Sequence, residues 1–176
     1  MVYNFKYLLI TFLFFSFISC ENSKNEYHKK FAVVSAKIEA SKAGYEILKM
    51  GGNAFDAMIA TDLALAVVYP NAGNLGGGGF MVYRLSDGDY GSLDFREKAP
   101  LAATKDMYLD ESGNVIKGLS REGALSIGVP GTVAGLFEVY DRFGSLPLDS
   151  LFKPALNLAK NGFSLTNKQA KTFNQN

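Results

Sequence analysis

Few of the side chains that usually do covalent or metal chemistry are present in this 176-residue chain, which has one His, one Cys and no Trp. A lone His and a lone Cys cannot furnish an ordinary zinc site, and a single Cys closes no internal disulfide. No metal and no cofactor is expected. Two features stand out instead. Arg96 lies in Leu93-Asp94-Phe95-Arg96-Glu97, where Leu93 and Phe95 alternate with charged neighbours as they do in a half-buried strand. Two readings of Arg96 are open: a surface cation paired with Asp94 or Glu97, or a planar fork at a strand end that grips a substrate carboxylate. The second feature is Asn71 to Phe80, with four consecutive glycines at Gly76 to Gly79. Such a run costs backbone entropy and needs a reason. It is a poor phosphate loop, because no Gly-Lys-Ser/Thr follows and the next segment, Phe80-Met81-Val82-Tyr83-Arg84, has strand character. A tight passage of backbone and the wall of a pocket both remain as explanations.

The elements that must position these residues follow from periodicity and caps. Phe31 to Ala36 is short and apolar and is expected to be a buried strand. Glu39 to Met50 carries Ala40, Ala43, Gly44, Ile47 and Leu48 on one stripe, the pattern of an amphipathic helix. Gly51-Gly52 should end it in a left-handed cap, and Asn53 should cap a second helix, with Asp56 near its positive end. That helix, Ala54 to Val68, is apolar almost all round and belongs inside a layered fold; its small residues Ala57, Ala60, Thr61 and Ala64 permit close approach. Turn residues at Ser86 to Asp89 join the strand from Phe80 to the strand carrying Arg96 as a hairpin. Gly128-Val129-Pro130-Gly131-Thr132 introduces a helix to about Phe143. Leu148 to Lys160 is another, with Pro154 expected to disturb it, and a further helix starts at Thr166.

Residues 1 to 19 are of a different kind. Fourteen of them are apolar or Tyr and Lys6 is the only charge, the composition of a signal-peptide core too short to cross a bilayer comfortably. Phe17-Ile18-Ser19-Cys20 resembles a bacterial lipobox, in which the Cys is lipidated and becomes the new N-terminus; an ordinary cleaved leader with an incidental Cys is the alternative. Residues 20 to 30 are polar and aperiodic, as a tether should be, and His28 in this stretch is expected to be solvated. An exported, lipid-anchored or periplasmic protein of the bacterial envelope follows. The whole chain balances 18 Lys and Arg against 17 Asp and Glu, so there is no electrostatic case for nucleic acid.

Four segments in register carry a resemblance: Gly51-Gly52-Asn53-Ala54-Phe55-Asp56-Ala57, Gly76-Gly77-Gly78-Gly79-Phe80-Met81, Leu93-Asp94-Phe95-Arg96-Glu97-Lys98-Ala99-Pro100, and Gly128-Val129-Pro130-Gly131-Thr132-Val133-Ala134-Gly135. In order and spacing they are similar to the N-terminal part of the large subunit of the γ-glutamyltranspeptidase (glutathione hydrolase) family. The resemblance implies an α+β fold, the four-layer αββα sandwich of N-terminal-nucleophile hydrolases, present here only in part, over residues 31 to 176. It also implies a precursor that cuts itself, exposing an N-terminal Thr on a small subunit that attacks the γ-glutamyl amide of glutathione and related compounds with its own amine as base. The acyl group then passes to water or to an amino acid or peptide. Arg96 matches the Arg that binds the α-carboxylate of the γ-glutamyl group, with Asp94 and Glu97 expected to hold its guanidinium.

The nucleophilic Thr of that family lies downstream of this chain, so no catalytic residue is assigned here. Thr61, Thr104, Thr132, Thr166 and Thr172 lie outside the family's nucleophile motif. The chain is expected to be an N-terminal fragment without activity by itself, whose partners are γ-glutamyl substrates, a small subunit and, through Cys20, a membrane. Cephalosporin- and glutaryl-type acylases share the nucleophile logic and remain an alternative, as does a non-catalytic, lipid-anchored binding protein.

Overall fold

The computed structural model describes residues 31–175, and the leader, the tether, Cys20 and His28 lie outside the described residues. In chain order the elements are α1 (Ile38–Lys49), α2 (Ala54–Val68), β1 (Phe80–Arg84), β2 (Tyr90–Asp94), a single 3₁₀ turn at Ala124–Ser126, α3 (Thr132–Phe143), α4 (Leu148–Asn161) and α5 (Asn167–Phe173).

Local chemistry sets the first two helices. Gly51, at φ +93°, takes the left-handed turn that ends α1. Asn53 then opens α2 as a capping box: its Oδ1 accepts from the amides of Phe55 and Asp56, and the Asp56 carboxylate accepts from the Asn53 amide. This cap also reaches across the fold. Asp56 is fully buried, and its oxygens also accept from the Ser145 amide and hydroxyl, while the Asn53 side-chain amide donates to the Phe143 carbonyl. The start of α2 is thereby tied to the turn that follows α3.

With no polar face, α2 is covered on several sides, packing on α1, α4 and α3. Ile47 from α1, Ile59 from α2, Val139 from α3 and Leu151 from α4 are fully buried in the shared core. The crossing of α1 and α2 is close because Gly44 has no side chain; a Cβ there would lie 2.9 Å from the Ala57 carbonyl oxygen. Pro154 sits inside α4 and, contrary to expectation, the helix runs through it as one element. The missing amide costs one hydrogen bond, and an interface holding Leu151 and Ala155 in the core offsets it.

The hairpin lies against this helical layer. β1 and β2 are antiparallel, with Met81 opposite Leu93 and Val82 opposite Ser92. Because side chains alternate across a strand, Met81, Tyr83 and Leu93 join the core, and the Phe55, Tyr83 and Phe143 rings cluster there, Phe55 and Phe143 stacked at 4.2 Å. The opposite face is bare: Phe80 is 66%, Val82 84% and Tyr90 84% exposed.

Helices on one face of a sheet whose other face is open make one α layer and part of one β layer of an αββα sandwich. The strand expected at Phe31 to Ala36 is not formed. Residues 32–36 alternate in burial, Val33 packing on the core and Val34 92% exposed, but carry no strand ladder. Alternation alone does not make a strand; a hydrogen-bonded neighbour is required, and none of the described strands lies in register with this segment.

Candidate functional site

The site is built around the end of β2. Past Asp94 the ladder continues for one residue: the Phe95 amide donates to the Gly79 carbonyl at 3.0 Å and the Gly79 amide to the Phe95 carbonyl at 3.3 Å. Phe95 therefore keeps strand alternation, turning its ring into the core and leaving Arg96 on the outer face.

Glycines make room for that geometry. A Cβ on Gly79 would lie 2.9 Å from the Phe95 ring, and one on Gly135 in α3 would overlap the ring. A Cβ on Gly78 would lie 2.6 Å from the Phe95 carbonyl oxygen and 2.8 Å from the Arg96 Cα, and one on Gly131 would overlap the same carbonyl. The Gly77 carbonyl accepts from the amides of Gly131 at 2.9 Å and Thr132 at 3.0 Å, fastening the glycine run to the start of α3. Lys98 and Val129 exchange amide and carbonyl bonds a little further out. Both explanations of the glycine run hold. It is a tight backbone passage, and Gly78 and Gly79 also line a cavity of about 340 Å³ together with Asp62, Asn74 and Phe80.

Arg96 is exposed, and its guanidinium carbon stands 5.6 Å from the centre of the Phe80 ring. This corrects the expected support. Asp94 accepts a hydrogen bond from the Arg96 backbone amide at 3.0 Å and so shapes the chain, while the Glu97 side chain packs against Gly128 and faces Gly77. The ion pairs among the described residues join Lys49 to Glu46, Lys105 to Asp106 and Arg142 to Glu138; none involves Arg96. Among the described residues, a planar, permanently charged donor is thus presented without a carboxylate of its own, the state in which it can take a bidentate acid. Beside it is a second cavity, about 330 Å³, lined by Asp94, Arg96, Lys98, Pro130, Ala134 and Glu138 among others.

Asp62 is the ionisable group that lines the first cavity. Burial on the apolar helix α2 pushes its carboxyl above the usual range, since the charged form loses hydration. Three of the threonines have structural employment: Thr61 donates to the Ala57 carbonyl, Thr132 is buried at the start of α3, and Thr166 caps α5.

Sequence reasoning missed Phe80 as the ring beneath Arg96 and missed the way Gly131 and Gly135 enclose Phe95. The second carried a signal: glycines at i and i+4 leave one bare stripe on a helix, where another backbone can approach.

Comparison with known proteins agrees with this arrangement. Residues 40–176 match the family model described as gamma-glutamyltranspeptidase. The chain is 58% identical over 133 residues to the glutathione hydrolase proenzyme of Pseudomonas sp. (strain A14), covering 76% of this chain and 23% of that protein. It is 48% identical to the Escherichia coli (strain K12) glutathione hydrolase proenzyme, covering 77% of this chain and again 23% of the relative. Among solved structures, Helicobacter pylori gamma-glutamyltranspeptidase superposes with a TM-score of 0.79 at 49% identity, over 84% of this chain and 42% of that one. Cephalosporin acylase from Bacillus halodurans superposes at 0.67 with 32% identity, over 75% of this chain and 24% of that one. The chain spans about a quarter of the length of these curated relatives. The glycine-enclosed strand end and the family match coincide on the same residues: this chain belongs to the γ-glutamyltranspeptidase family.

Proposed function

We propose that this chain is the N-terminal portion of a glutathione hydrolase precursor and contributes the carboxylate-binding arm of its active site. The observation that carries this reading is Arg96, an exposed guanidinium with no carboxylate paired to it among the described residues, fixed at a strand end and lining a cavity. Arg96 takes the α-carboxylate of a γ-glutamyl group through two parallel hydrogen bonds. The nucleophilic Thr comes from polypeptide outside this chain, on the small subunit released by self-cleavage. Its hydroxyl oxygen attacks the γ-carbonyl carbon, the amide C–N bond breaks, and the leaving amine takes the proton through the Thr amine. Water, or an acceptor amine, then displaces the Thr oxygen and frees the glutamyl group. The 176-residue chain alone, without that Thr, is inactive.

Arg96 is tested in a hybrid precursor that joins residues 31–176 to the remaining length of the Pseudomonas sp. proenzyme. Removing one member of a buried charge pair costs about 2–5 kcal/mol. Arg96→Ala should therefore lower kcat/KM for a γ-glutamyl anilide by roughly 30-fold or more, with self-cleavage intact. Arg96→Lys should recover only part of the loss. Unchanged kinetics would return Arg96 to the role of a surface cation.

The acylase reading has its own support in the Bacillus halodurans neighbour, but at 32% identity against 58% for the glutathione hydrolase relative. Activity of the hybrid on a glutaryl amide in preference to a γ-glutamyl amide would select it. The envelope location rests on the leader and on Cys20. Cys20→Ala should release the protein from the membrane fraction or leave the leader uncut; unchanged retention with normal processing would remove the lipid anchor.

A further inference from the structure

The geometry points to Phe80 as the positioning residue for Arg96, and thereby as a determinant of selectivity for substrates bearing an α-carboxylate; this rests on Arg96 being the carboxylate-binding group. Phe80 opens β1 opposite Asp94 in the register, and Arg96 lies two residues beyond Asp94, just past the end of β2. The glycine-lined slot around Phe95 fixes the backbone of Arg96 but leaves four side-chain torsions free, and a long cation on an exposed strand end samples many of them. Neither Asp94 nor Glu97 restricts them, since one is spent on a backbone amide and the other packs toward Gly77 and Gly128. The only described partner of the guanidinium is the Phe80 ring at 5.6 Å, within the range where the negative face of an aromatic ring attracts a cation.

A ring is a suitable platform for this task. It engages one flat side of the guanidinium and uses none of its N–H donors, so the fork remains available to an incoming carboxylate. A carboxylate in the same place would compete with the substrate for those donors. On the outer face of the hairpin Phe80 is 66% exposed in this chain, and it also lines the cavity shared by Gly78, Gly79 and Phe95, the residues that fix the backbone of Arg96. Pre-ordering the fork reduces the entropy lost on binding, which lowers KM more than it changes kcat.

Two measurements test this. The first uses the chain itself: by NMR, the Arg96 side-chain protons should show upfield ring-current shifts that vanish in Phe80→Leu and persist in Phe80→Tyr. Because Phe80 is 66% exposed, neither variant should disturb folding, which the remaining amide spectrum checks. The second uses the hybrid precursor with two anilides, one γ-glutamyl and one 4-aminobutanoyl, the latter lacking only the α-carboxylate. Phe80→Leu should raise KM for the γ-glutamyl substrate by roughly two- to fivefold with kcat little changed. It should leave the 4-aminobutanoyl kinetics and self-cleavage unaltered, and Phe80→Tyr should restore KM. If Arg96→Ala abolishes the preference for the carboxylate and Phe80→Leu does not change it, Phe80 has no positioning role although Arg96 keeps its own. If Arg96→Ala leaves the preference intact, the reading of Arg96 fails, and with it this inference. Equal losses on both substrates in Phe80→Leu would make Phe80 merely structural.

Discussion

The helical layer and the hairpin of this chain are finished to different degrees. In the helical layer, Ile47, Ile59, Val139 and Leu151 come from four helices and are wholly buried among one another, and even Asp56, a fully buried carboxylate, has hydrogen bonds from Asn53 and Ser145. The hairpin uses one face only. Met81 is buried, while Phe80, Val82 and Tyr90 stand on an open face. A two-stranded ribbon has little stability of its own, so here the helices supply it. Arg96 is found on the dependent part. Arg96 sits on the open side of the hairpin, held through glycines that let α3 and the Asn71-to-Gly79 loop reach the strand end.

This contrast can be broken in order of expected effect. Leu151→Ala should be the most damaging change, costing about 2–5 kcal/mol through lost burial and the cavity left behind. Val82→Thr on the open face should stay within about 0.5 kcal/mol. Urea denaturation of the chain compares the two, and equal losses would mean that the open face is packed in solution. Asp56→Ala should cost about 1–3 kcal/mol, because it strands the Asn53 amide and the Ser145 donors inside the fold and removes half of a capping box. Asp56→Asn, which keeps an acceptor, should cost less in the same measurement.

Asp62 gives the smallest and most specific effect. Its carboxyl titrates above the ordinary value in the folded state, so the folded chain holds that proton more tightly than the unfolded chain does. Stability from this group is present below the unfolded pKa and declines as pH rises through the folded one. Asp62→Asn should therefore stabilise the chain at neutral pH, with the gain disappearing below the ordinary carboxylate range. Thermal midpoints measured across that pH interval check the sign. A gain that is flat with pH would assign the effect to packing.

How much of this could be read from the residues depended on how local each feature is. The Asn53 cap, the left-handed glycine at Gly51 and the bounds of α2 and α3 follow from a few neighbouring residues, and they stand where periodicity and capping placed them. The hairpin was legible for the same reason, as alternation on both sides of a turn. The anchoring of Asp56 by Ser145 joins positions 89 apart in sequence, and no local pattern announces it. The platform under Arg96 was missed because Asp94 and Glu97 are nearest in sequence, whereas strand pairing brings Phe80 nearest in space. The segment at 32–36 has the composition of a strand, but a strand is a relation between two segments. Pro154 was expected to disturb α4 on local grounds, and tertiary packing overrode it.

We propose that this chain supplies the carboxylate-binding arm of a γ-glutamyl hydrolase whose nucleophile comes from elsewhere. The most direct measurement is turnover of a γ-glutamyl anilide by two purified proteins, the 176-residue chain and the hybrid joining residues 31–176 to the rest of the Pseudomonas sp. proenzyme. No release above a mock preparation is expected from the first, and both self-cleavage and turnover from the second. Turnover by the chain alone, or a folded and self-cleaved hybrid with no γ-glutamyl activity, would contradict the proposal.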